Sequence, residues 1–163
     1  MSLIDWCQWL QQTPFAVAIT ESSWLFPVIE GSHILALSLS VGMIVLFDLR
    51  LLGVAFRGEA VSRMMKQVMP WSLTGFGVMF ITGILLFITQ AGKAYGNVFF
   101  RTKLVFLVLL GINAAFYQKK FYPKMADWDM AGIAPFGVRL CAGLSLAAWM
   151  VVIVCGRTMA YEF

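Results

Sequence analysis

His33 is the one histidine in the chain. It falls inside an apolar run, where an ionisable side chain is costly and usually faces a bundle interior. It lies about ten residues past Trp24, or roughly 13–15 Å along a helix. A neutral imidazole at that depth suits ligation of haem iron or another metal, or the carriage of a proton. Glu30 precedes it by one turn on the same helix face, and Ala36, Leu37 and Ser40 continue that face. The plainer alternative is a structural histidine held by Glu30 or by a neighbouring carbonyl, and spacing alone leaves both open.

Lys103 is the second unusual residue. It sits about one turn inside an apolar segment, where it could pair with Glu30, hold a haem propionate or another anion, or snorkel to the interface. Arg101 falls nearer the headgroups, with a lipid phosphate as the simplest partner. Met79 and Met150 are candidate soft ligands, but the chain holds ten methionines and most must be packing. The three cysteines, Cys7, Cys141 and Cys155, have no CxxC or CxxCH spacing, so zinc, iron–sulfur and covalent haem attachment gain no support. Cys7 and Cys155 fall on one side of the membrane, where a disulfide is conceivable beside the alternative of two buried thiols. A Ser-His-Asp set and a phosphate-cradling glycine loop are both missing, which argues against soluble-type hydrolysis.

The elements that position these residues follow from composition. Of 163 residues, 61% are hydrophobic and 12% charged, about half the charge of a soluble domain. The bilayer is the natural solvent for that excess, and each span needs roughly 20 apolar residues. The sequence predicts an all-α integral membrane four-helix bundle, a single domain with spans at about 24–47, 71–89, 98–117 and 135–155. Pro27 falls near the start of the first span, and Pro70 just before the second. Residues 1–23, with Trp6 and Trp9, read as a short N-terminal interfacial helix. The connections fall at about 57–69, 91–97 and 118–133. Met1 to Gln12 carries no Lys or Arg and no apolar core, so a cleaved signal peptide is not expected. Small residues at helical spacing, Gly75, Thr82 and Gly83 in the second span and Cys141, Ser145 and Ala148 in the fourth, would let helices approach closely.

Charge sets an expected orientation. Arg50, Arg57, Arg63, Lys66, Lys119, Lys120, Lys124 and Arg139 flank one side, and Lys93, Arg101, Lys103 and Arg157 the other. This two-fold bias places the first and third connections in the cytoplasm and both termini outside, in a bacterium the periplasm. Asp48 and Arg50 would anchor the inner end of the first span, paired with each other, with Arg139 or with lipid. The net charge of +4 reflects flanking residues and no basic stripe, so a nucleic-acid partner is not expected.

The runs WLFPVIEGSHILALSLSVGMIVLFDLRLLG (Trp24 to Gly53), MPWSLTGFGVMFITGILLF (Met69 to Phe87) and YGNVFFRTKLVFLVLLGINAAFY (Tyr95 to Tyr117) resemble an uncharacterised family of bacterial inner-membrane proteins. The order of an early His, an Arg at the far end of the same helix, an MP…TG second helix and a Lys opening the third is more distantly similar to HemJ-type protoporphyrinogen oxidases and CopD-type copper-resistance membrane domains. His33 and Lys103 match the His and Lys that serve haem b in the HemJ type, and Met69, Pro70, Thr82 and Gly83 match its second helix. The further histidines of that type are absent. The resemblance implies a haem b redox protein near the outer face, with His33 as axial ligand, Lys103 and Arg101 on propionates, and Glu30 orienting the His or moving protons. One histidine excludes bis-His ligation within a protomer. Two other readings stay open. One is a non-enzymatic accessory subunit of a homo-oligomer or larger membrane complex, with polar residues contacting lipid or partner. The other is copper handling or transport through His33 with Met150 or Cys155.

Overall fold

The computed structural model describes residues 2–161, and among these every regular element is helical. Two short helices, α1 (Leu3–Gln11) and α2 (Pro14–Glu21), precede four long ones: α3 (Leu25–Leu52), α4 (Val61–Gly96), α5 (Val98–Lys120) and α6 (Phe136–Tyr161). All four long helices are apolar and long enough to cross a membrane. The 28 residues of α3 extend for about 42 Å, more than the roughly 30 Å of a hydrocarbon core. The chain is a multi-pass four-helix membrane bundle.

Helix α3 packs along both α4 and α6, and α5 packs along α6, while α4 and α5 barely touch. The order around the bundle is therefore α4, α3, α6, α5, with a weak seam between the last and the first. One end of the bundle, the terminal end, carries α1, α2, the α4–α5 joint and the end of α6. The other, the loop end, carries the α3–α4 and α5–α6 connections.

The N-terminal segment is two helices rather than one. Ser2 and Asp5 form a reciprocal capping box on α1, and those Ser2 hydrogen bonds hold the Asp5 carboxyl below the usual carboxylate range. Thr13 then caps a restart whose first residue is Pro14, a position where the missing N–H is harmless. Helix α1 lies against the far end of α4, where the Gly92 N–H donates to Gln11 Oε1 at 3.2 Å.

The second span differs most from expectation. Helix α4 starts at Val61 and Pro70 lies inside it. A mid-helix proline removes a hydrogen bond and crowds the preceding turn, and tertiary burial offsets that loss here. Val61, Met64 and Val68 sink into a cluster with Phe47, Tyr117, Met125 and Trp128. The start of α4 is also capped from another connection, because Asp129 accepts from the Ser62 N–H at 2.6 Å and the Ser62 hydroxyl at 2.7 Å. At its other end α4 kinks at Gln90, with φ −134°, and runs on to Gly96. Asn97 alone separates it from α5 and caps that helix, accepting from the Phe99 and Phe100 N–H groups. The true connections are thus 53–60, Asn97, and 121–135 with a 3₁₀ turn at Tyr122–Asp127.

Arg50 is not a headgroup anchor. It is fully buried, donating from Nε to the Glu59 carbonyl at 2.8 Å and from Nη2 to the carbonyls of Ala131 at 3.1 Å and Asp129 at 3.5 Å. One guanidinium thereby ties the α3–α4 connection to the α5–α6 connection. Arg139, its anticipated neighbour, is exposed.

Candidate functional site

The α3–α4 seam positions His33. Residues near 33, 36 and 40 on α3 face residues near 82, 75 and 72 on α4 in antiparallel register. At Gly75 a Cβ would lie 2.9 Å from Ser40 Cβ and 3.0 Å from the Ala36 carbonyl oxygen, so only glycine permits this approach. The Ser72 hydroxyl donates across the seam to the Ser40 carbonyl at 3.3 Å. Farther toward the terminal end, a Cβ on Gly83 would lie 3.2 Å from His33 Cε1, so that glycine makes room for the imidazole.

His33 is half-buried, with Nδ1 2.9 Å from Thr82 Oγ1. The single Thr82 proton points along its own helix to the Val78 carbonyl at 2.7 Å, with Met79 O at 3.3 Å. The Thr82 oxygen can then accept from Nδ1–H, the tautomer in which Nδ1 carries the proton of the neutral ring. That tautomer leaves the Nε2 lone pair free for a proton or a metal. Of the two anticipated holders of the ring, Glu30 makes no hydrogen bond to it; Thr82 does so from another helix, and the neighbouring Met79 carbonyl also bears on it.

Lys103 is half-buried on α5 and reaches α6, where its ammonium lies 3.8 Å from the position of a Cβ on Gly156. Its charge is close enough to bear on both His33 and Cys155. Glu30 and Arg101 are exposed. Neither makes a hydrogen bond or ion pair among the described residues, where the one ion pair is Arg63–Glu59 at 3.7 Å. The fold thus brings His33 and Lys103 within electrostatic reach and leaves Glu30 and Arg101 on outward surfaces.

The soft-ligand candidates separate. Met79 packs beside Trp149 and Val152 in a core cluster, whereas Met150 is 64% exposed. Cys7, Cys141 and Cys155 are all buried free thiols, so the alternative to a disulfide holds. No group of three or more His, Cys, Asp or Glu side chains gathers among the described residues, so a metal at His33 would need ligands of other kinds.

Sequence reasoning missed Thr82 as the His33 partner, although it lay in the quoted TG pair. It also gave Asp48 the role of an anchor at the inner end of the first span, whereas the side chain is 5% exposed, with Oδ2 unpartnered among the described residues. Asp129 was missed too. Hydrogen bonds from the Ser62 side chain and then its backbone hold that carboxyl below the usual carboxylate range.

Residues 22–162 match the model of a family of unknown function, DUF6644. No curated protein and no solved structure matches the chain. A match over nearly the whole length establishes membership: the chain belongs to the DUF6644 family.

Proposed function

We propose that this DUF6644 protein is a membrane redox protein that holds haem b through His33, near the terminal end of the bundle. The observation that carries the reading is the His33–Thr82 hydrogen bond. An axial histidine donates its second ring N–H to a fixed acceptor, which sets the tautomer and the ring plane. Thr82 is such an acceptor, because its own proton is committed to Val78. The donor chemistry fits the group: Nε2 would ligate the iron, and Lys103 would offset the charge of a propionate. When bound, haem supplies one-electron transfer. The protein holds the imidazole in one orientation and limits access of water from the half-buried seam. A second axial ligand would come from a non-histidine side chain, water or a partner subunit. Bacterial inner-membrane localisation with both termini periplasmic belongs to the same proposal and rests on the charge bias.

An absorption spectrum of the detergent-solubilised protein, oxidised and reduced, tests this. A Soret band that is lost in His33→Ala and shifted in Thr82→Val is the expected result. A well-folded protein that stays colourless after haem addition overturns it.

A second reading is favoured by Glu30 and Arg101, exposed polar residues at the terminal end with no partner among the described residues. A companion subunit would meet them, making the chain an accessory component of a larger membrane complex. Stoichiometric co-purification that is lost in Glu30→Ala supports that reading, and a monodisperse protein with no companion argues against it.

A further inference from the structure

A cavity of about 360 Å³ lies within the loop-end half of the bundle, walled by all four long helices. It sits roughly 22 Å along α3 from His33, counting the rise per residue between positions 33 and 48, so it is separate from the haem reading and independent of it. Two polar atoms inside it lack partners among the described residues: Asp48 Oδ2 and the Tyr117 hydroxyl. Asp48 is 5% exposed and Tyr117 8%. Such groups are rare in an apolar interior, because each forfeits its hydration without compensation.

The rest of the wall narrows the chemistry. Phe47, Phe76, Tyr117 and Trp149 present aromatic rings to the cavity, and no Lys, Arg or His lines it. Phe47 meets Tyr117 edge-on at 6.2 Å, and Phe76 lies 5.7 Å from Trp149, so the rings are braced in pairs. The nearest arginine in sequence, Arg50, directs Nε and Nη2 to carbonyls of the two connections and does not line the cavity. Ser145, also in the wall, bears on the Asp48 carboxyl, and a cationic group brought from outside the protein would supply the partner that Oδ2 lacks. Aromatic faces attract cations when water is excluded. The volume falls in the range of small-molecule sites, where one or two polar groups orient a mostly apolar ligand. Access follows from the weak seam between α4 and α5. These helices meet through the stacked Phe87–Phe100 pair and make few other contacts along their length.

We infer that this cavity binds a lipophilic organic cation, an ammonium carried on an aromatic or alkyl body, with Asp48 receiving the charge, Tyr117 the adjacent hydrogen bond, and the four rings the apolar part. The carboxyl group disfavours an anion, and a cation meets its ionised form better than a neutral molecule does.

Equilibrium dialysis of the full-length protein in maltoside detergent tests this, with 4-phenylbutylammonium as probe and 4-phenylbutanol as the neutral comparison. Saturable one-to-one binding of the ammonium is expected, at least tenfold tighter than the alcohol. Asp48→Asn should weaken it tenfold or more, and Tyr117→Phe by less. Gly111 lines the cavity and a Cβ there meets nothing within 4 Å. Gly111→Leu fills the space without touching the carboxylate and should abolish binding, which keeps the test decisive if Asp48→Asn does not fold. Equal binding of ammonium and alcohol overturns the inference. So does no saturable binding, or full binding by Gly111→Leu.

Discussion

The two ends of this bundle use charge in opposite ways. At the loop end, Arg50 is buried and hydrogen-bonded to two connections, and Asp129 caps a helix that belongs to another part of the chain. At the terminal end, Glu30 and Arg101 stay exposed, and His33 meets the Thr82 hydroxyl across the seam. Charged groups at the loop end fix the fold. At the terminal end the seam is shaped by glycines, and one ring nitrogen is left uncommitted. Buried hydrogen-bonded charge can fix helix positions in lipid, where apolar burial does not drive helices together.

That contrast predicts a graded response. Arg50→Leu should be the most damaging change, because three carbonyls lose their donor and the two connections come apart. A loss of about 3 kcal/mol or more is expected, read as a large fall in the thermal midpoint of the detergent-solubilised protein. A midpoint within a degree or two of the parent would break the contrast. Gly75→Val comes next. Its Cβ would meet the Ala36 and Ser40 backbone, and overpacking of this kind costs about 1–3 kcal/mol. The change should also displace His33, so any haem spectrum should alter along with stability, whereas Arg50→Leu should lower stability without a specific spectral shift.

The smallest effect belongs to Asp129. Its carboxyl is held below its unfolded value, so its contribution is present above the unfolded carboxylate range, near pH 4, and is lost as pH falls through the lower folded value. The residue is partly exposed, and its worth is that of a helix cap, about 1 kcal/mol or less. Asp129→Asn should lower stability slightly at neutral pH and leave the acid end of the stability–pH curve almost unchanged, so that the acid limb flattens. An unaltered acid limb would show that the cap carries no charge-dependent stability.

Much of the scaffold was legible in the sequence. Four apolar runs of span length admit few other folds, and the small residues at 75 and 83 marked the close seam. Their partners were not legible. Helical periodicity puts Glu30 and His33 on one face, but it cannot say that Thr82 approaches from another helix. Pro70 read as a boundary because local sterics favour one, whereas burial of Val61, Met64 and Val68 carried the helix through it. Charge counting gave Arg50 the correct end of the bundle. It could not give the direction of the side chain, which turns inward to carbonyls rather than outward to lipid.

Arg50 also imposes an order on assembly. Its acceptors in the α5–α6 connection lie 79 and 81 residues later in the chain. A ribosome releases α3 and α4 well before Asp129 and Ala131 exist, so the guanidinium first meets Glu59 alone. Only after the α5–α6 connection has emerged can the clasp between the two connections form.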